Sequence, residues 1–141
     1  MSTAQLIVVR YFDLVDSGKI EPALAYLAND VIYNTWLGVV EGKDNVTSFL
    51  RDNVRYMHNA RNFSPWRQVQ HSLDPALHFF TAQNGSVPYD DKGYDSQGFA
   101  MFERDGTIAS LTKLSMKKLH VKETAVVKDG YIILVNLSKR F

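Results

Sequence analysis

The stretch from Tyr11 to Gly42, YFDLVDSGKIEPALAYLANDVIYNTWLGVVEG, constrains the rest of the chain most. It predicts the end of one helix, a short second helix, and a strand that returns through Trp36 to a glycine turn. Upstream, Ser2 and Gln5 stand at capping-box spacing, and Val8, Tyr11, Phe12 and Val15 share one face at helical period. Gly18 is placed as the residue that ends this helix. Pro22 suits the first turn of the next, whose apolar stripe is Ile20, Ala23, Leu24 and Leu27. That helix is short, so packing rather than propensity must hold it. Asn29-Asp30 signals a turn, and Val31 to Trp36, rich in β-branched and aromatic residues, reads as a strand. Gly38 and Gly42 bracket Val39, Val40 and Glu41. A third helix is expected from about Lys43 to Met57, with Val46, Phe49, Leu50 and Met57 on its apolar face.

Beyond Trp66 the period changes to two. WRQVQHSL places Trp66, Gln68, Gln70 and Ser72 on one side and Arg67, Val69, His71 and Leu73 on the other. Asp74-Pro75 breaks the run, Leu77 to Ala82 reads as another strand, and the polar segment from Asn84 to Ser96 as a long loop. Gly98 to Glu103 is expected to turn at Asp105-Gly106 onto Thr107 to Met116. Val121 to Val127 is expected to pair with Tyr131 to Leu137 across Asp129-Gly130. YIILVNL is apolar on both faces, which fits either a doubly buried strand or a subunit interface. Three helices followed by four to six antiparallel strands predict an α+β domain. The helices bury their stripes against one face of a curved sheet, and a sheet curling over helices makes a cone with an internal pocket.

Composition narrows the function classes. The 141 residues suit one domain. The chain has no cysteine, which removes disulfides, thiol nucleophiles and thiolate metal sites. A formal charge of +1 gives no general attraction to phosphate backbones. Arg51, Arg55, Arg61 and Arg67 beside Tyr56, Phe63 and Trp66 carry no RNA-binding motif, so no nucleic-acid partner is expected. No apolar run approaches the ~20 residues that span a bilayer. MSTAQLIVVRYFD lacks a basic start and carries Arg10 and Asp13, so no secretory signal is expected and the expected location is cytoplasmic. His58, His78 and His120 have no ligand spacing, and Asp90, Asp91 and Asp95 lack the pattern of a calcium loop. No metal or cofactor is expected.

The segment RYFDLVDSGKIEPALAYLAND, the strand after it, and GVVEGKDNVTSFLRD together resemble the SnoaL-like and ketosteroid-isomerase-like branch of the nuclear-transport-factor-2-like superfamily. GFAMFERDGTIASL resembles that family's late strand pair. The resemblance implies a cystatin-like cone over residues 1–141; the tail is not explained by the short isomerases and is expected to form a C-terminal hairpin extension at about 120–141. It also implies a homodimer and a small hydrophobic, oxygenated ligand. Tyr11 falls where steroid isomerases place the tyrosine that hydrogen-bonds a developing enolate oxygen. The general-base aspartate is replaced by Thr35 and the second, acidic oxyanion donor by Gly98, so steroid isomerisation by that mechanism is not expected. Phe49 matches the aromatic that the third helix points into the pocket. Tyr33 and Trp36 either line the cavity or pack against that helix. Thr35, Phe102, Leu111 and Ser115 complete the expected lining.

Two further groups are candidates for moving a proton. Lys113 shares a strand face with Leu111 and Ser115; inside an apolar cavity its pKa would fall, making it a base, a Schiff-base amine or an anion anchor. A register slip of one residue would turn it to solvent instead. His71, beside Val69 and Leu73, is either a general base or a satisfied core histidine. Tyr11, His71 and Lys113 are thus the candidate catalytic set. Two functions remain open: a cofactor-independent isomerase, cyclase, dehydratase or hydrolase, and a non-catalytic ligand-binding or protein-assembly domain.

Overall fold

A computed structural model of the protein describes residues 2–35, 38–58, 62–69, 99–112 and 115–139. Helix α1 (Thr3–Asp16) starts at Ser2, whose side chain accepts the Gln5 N–H at 3.1 Å. The Gln5 side chain does not return to the cap; it donates to the Trp66 carbonyl and ties α1 to the sheet. Val8, Tyr11, Phe12 and Val15 are its buried face. The helix closes in a Schellman motif: Lys19 N–H reaches Leu14 O, Gly18 N–H reaches Val15 O, and Gly18 takes φ 76°.

Helix α2 (Ile20–Ala23) is a single turn that runs into a 3₁₀ turn at Leu24–Tyr26. Strand β1 (Leu27–Thr35) then begins four residues before Val31. Asn29 and Asp30 do not reverse the chain. They lie in the exposed stretch where the pairing register of β1 shifts between Leu27 and Ile32, so turn-favouring residues are used at a bulge. β2 (Gly38–Glu41) folds back on β1, and α3 (Lys43–His58) follows with Val46 and Leu50 fully buried. No helix among the described residues is long and apolar enough to cross a membrane.

Next come β3 (Asn62–Phe63), β4 (Arg67–Val69), β5 (Ala100–Thr112), β6 (Ser115–Lys128) and β7 (Tyr131–Lys139). They complete a sheet of order β2-β1-β7-β6-β5-β3, with β4 also on β5. Among the described residues, all pairings are antiparallel except β1 with β7, which is parallel. The three helices pack on one face of this curved mixed sheet, giving the expected α+β cone.

Two expectations are corrected here. The turn expected at Asp105-Gly106 does not form: both residues lie inside β5, and Gly106 pairs with Phe63 on one side and Val121 on the other. A reversal there would break ion pairs made from the extended strand, Arg104 to Glu123, Asp105 to Arg67 and Glu103 to Lys122. At Asp129-Gly130 the turn does form, with φ 53° and 84°, the left-handed pair that a type I′ hairpin requires. The second correction concerns the tail. β7 is no appended hairpin strand; it lies between β1 and β6, with Ile132, Leu134, Val135 and Asn136 fully buried. YIILVNL is therefore apolar on both faces because a single chain buries both. The strand expected at Leu77–Ala82 and the loop at Asn84–Ser96 lie outside the described residues.

The sheet carries cross-strand rows that alternate between its faces. On the helix side run Tyr33, Val135, Ala125, Phe102 and, next to it, Thr35, Leu137, Glu123, Arg104. On the opposite face run Ile32, Leu134, Val126, Met101, Val69 and then Asn34, Asn136, Thr124, Glu103, Arg67. The first and third rows anchor two separate apolar clusters.

Arg104 fixes α1 to the helix-side face. Its guanidinium donates to Glu123 at 2.8 Å and to Asp16, the last residue of α1, at 3.1 Å. It also lies over the rings of Phe63, Trp66 and Phe12 at 3.8, 4.7 and 4.8 Å. Burial opposes its charge, but Glu123 and Asp16 outweigh burial and raise its pKa. Removing one member of a buried pair strands the other charge and typically costs about 3–5 kcal/mol. Arg104→Met is therefore expected to lower unfolding free energy by about 3 kcal/mol in urea titrations. Arg104→Met/Glu123→Met should recover most of that loss, leaving the less deeply buried Asp16 to hydrate. Additive losses in the double variant would show that Arg104 and Glu123 act independently.

Candidate functional site

α1 and β1 cross so that Tyr11 and Tyr33 meet on the helix side of the sheet. Tyr11 belongs to the helix's apolar stripe and Tyr33 to the inward parity of β1, so the burial patterns of both elements aim them at one point. Both side chains are buried, and their hydroxyls are hydrogen-bonded to each other. Phe49 of α3 stands beside Tyr33 with ring centroids 6.0 Å apart, Phe12 meets the Tyr11 ring edge-on at 4.8 Å, and the fully buried Phe102 belongs to the same cluster.

The electrostatics keep both phenols neutral. Burial raises the Tyr11 pKa most; the bond from Tyr33 opposes that shift, and Glu123 and Asp16 reinforce it. Tyr33 is pushed well above the usual tyrosine value, by burial first and then by Tyr11 and the same two carboxylates. Neither phenol can act as a base near neutral pH. One hydroxyl donates to the other, which leaves the pair one O–H to offer an external acceptor. The arrangement can donate a hydrogen bond to a carbonyl, epoxide or ether oxygen in a water-poor setting, where such a bond is strong.

Of the residues expected at the site, Tyr11, Tyr33, Phe49 and Phe102 are brought together. The Thr35 hydroxyl donates to the Gly38 carbonyl across the β1–β2 turn at 3.0 Å. The single strand that was to align Leu111, Lys113 and Ser115 is not present. β5 ends at Thr112 and β6 begins at Ser115, so Leu111 and Ser115 sit on different, paired strands. Trp36, His71, Gly98 and Lys113 lie outside the described residues. Among the described residues, no group of three or more His, Asp or Glu is placed to hold a metal ion.

The sequence reading missed Arg104 and Glu123, which place a charged layer directly beside the phenols. A signal existed. Phe102 and Arg104 have the same parity on one strand, so a charged residue stood at a core-facing position. Placing a turn at Asp105-Gly106 hid it.

No protein-family model matches the chain, and no curated protein matches it. Solved structures do. An NTF2-like protein of unknown function from Cytophaga hutchinsonii superposes with a TM-score of 0.60 at 10% identity, covering 97% of this chain and 99% of that one. SalBIII, an epoxide hydrolase/cyclase-like enzyme of pyran ring formation in the polyether salinomycin, gives 0.61 at 12% identity, covering 98% and 91%. An LEH-like epoxide hydrolase of M. tuberculosis gives 0.55 at 16%, covering 98% and 83%. At these identities the likeness is one of fold: the α+β cone of this chain is similar to that of NTF2-like and cystatin-fold proteins.

Proposed function

We propose that the protein binds a small, apolar, oxygen-bearing molecule on the helix side of the cone, with the Tyr11–Tyr33 pair as hydrogen-bond donor to its oxygen. The observation that carries this reading is the meeting of two buried neutral phenols inside an otherwise apolar cluster. A tyrosine needed only for packing is replaceable by phenylalanine, whereas two hydroxyls facing each other form a polar point in the interior. The chemistry that fits is a cofactor-independent isomerisation, cyclisation, dehydration or hydrolysis assisted by that donor. The resemblance to SalBIII and the LEH-like hydrolase, both concerned with oxygenated substrates by name, supports the same class. His71 is the proposed proton carrier.

The alternative is a non-catalytic ligand-binding or assembly domain. YIILVNL gives it no support, because that strand is accounted for within one chain; a homodimer is proposed on the resemblance alone.

Two measurements test the main reading. Thermal denaturation with steroid ketones, cyclic terpene epoxides and polyketide-type phenols is expected to show stabilisation by at least one class. Tyr33→Phe or Tyr11→Phe is expected to weaken that binding about tenfold, the worth of one hydrogen bond of roughly 1.4 kcal/mol. Stabilisation that survives both substitutions unchanged would remove the phenols from the site. The second measurement is pH dependence. The folded-state pKa of each phenol lies above the ordinary 10.0. Their contribution is therefore complete below about pH 10 and is lost as pH rises beyond it. Unfolding free energy is expected to fall from about pH 10 upward, with a shallower slope in Tyr33→Phe. Identical slopes in the two proteins would show that the phenols are not held neutral by the fold.

A further inference from the structure

The face of the sheet opposite the helices carries a cleft of about 660 Å³, within the size range of small-ligand sites. The described residues that line it are Asp30 and Ile32 of β1, Glu41 of β2 with Gly42 after it, Phe99, Lys128 at the end of β6, and Ile133 of β7. None belongs to the Tyr11–Tyr33 cluster, which lies across the sheet. The cleft divides by chemistry. Phe99 and Ile32 are buried and Ile133 is half-buried, making an apolar floor. Asp30 and Glu41 are exposed carboxylates at one wall, and Lys128 stands at another.

The two carboxylates share the cleft. Glu41 is paired directly with Ile32, Asp30 stands two residues before Ile32 at the β1 bulge, and both acids line the same cleft. Two carboxylates on one cleft favour a single cationic group there. Lys128 does not occupy this place; its ammonium lies over the Phe99 ring, 4.4 Å from the centroid. Among the described residues, the side chains of the rim carry two negative charges and one positive, and the positive one is engaged by an aromatic face.

We propose that this cleft is a second ligand site, one that takes a primary or secondary amine with an apolar body. The ammonium sits between Asp30 and Glu41, and the hydrocarbon or aryl part covers Ile32, Ile133 and Phe99. The apolar floor supplies burial, and the acid pair selects the sign of the charge. Lys128 competes with the ligand for Phe99 and repels its cation.

The test is a titration of ¹⁵N-labelled protein with phenethylammonium, alongside 3-phenylpropanol and 3-phenylpropionate as neutral and anionic counterparts. The expected result is saturable shifts of the Ile32, Glu41, Gly42, Phe99 and Ile133 amides. The amine should bind tightest and the carboxylate weakest. Asp30→Asn/Glu41→Gln, both at exposed positions, should weaken the amine at least fivefold, and Lys128→Met should tighten it. The proposal is overturned if 3-phenylpropionate binds as well as the amine or the acid variant binds it unchanged. Shifts confined to the helix side, or none at all, overturn it equally. Because the two sites lie on opposite faces, failure of binding in this cleft leaves the Tyr11–Tyr33 reading standing.

Discussion

The parallel docking of β7 against β1 is the interaction on which the rest of the structure depends. It joins residues far apart in sequence: the Asn34 side chain donates to Asn136, 102 positions away, at 2.7 Å. β1 carries β2 and leads into α3, while β7 carries β6 and through it β5, β3 and β4. Without this pairing there are two partial sheets, each with an open inner edge, and the helices have no continuous surface to cover. The entropy of closing so long a loop must be met by what the pairing buries. The composition of β7 answers that need, since its central residues are apolar toward both faces and it is bonded on both edges.

The same pairing decides which side chains meet. With Tyr33 opposite Val135 and Ile32 opposite Leu134, Tyr33 is directed at α1 and Ile32 at the other face. A slip of one residue would exchange them, placing the phenol away from Tyr11 and isoleucine against the helices. The Asn34–Asn136 bond resists that slip, because a half-buried amide loses its partner when the register moves. Arg104 plays the corresponding part for α1: contacts to Glu123, Asp16 and three aromatic rings restrict the angle at which the helix crosses the sheet. That angle sets where Tyr11 arrives.

How much of this was legible in the sequence depended on whether the signals were local. The cap at Ser2, the stripe Val8–Tyr11–Phe12–Val15, the stop at Gly18, the span of α3 and the turn at Asp129-Gly130 are set by neighbours within a few residues, and the reading found them. Asp105-Gly106 has the same dipeptide as Asp129-Gly130 but does not turn, because Arg67, Lys122 and Glu123 on other strands hold the extended form. No local pattern encodes those partners. The position of β7 was hidden for the same reason: an apolar strand at a chain's end looks alike whether it is an edge, an interface or the middle of a sheet. Tyr11 and Tyr33 were each singled out, but their hydrogen bond depends on the crossing of α1 over β1, which sequence spacing does not give.

A sheet buried over much of both faces changes how a cone of this kind should be read. In a half-exposed sheet, alternation separates core from solvent, and a polar residue at a core-parity position stands out. Here the opposite face has its own apolar row, Ile32, Leu134, Val126 and Met101, followed by a row of Asn136, Thr124 and Glu103 that is also buried. Polar and apolar residues therefore alternate along the strands of that face as well as between faces. Apolar rows make floors, polar rows make walls, and both occur on each side. The chemistry of a cone is then not confined to the space under its helices, because the opposite face supplies the same ingredients with charges of its own.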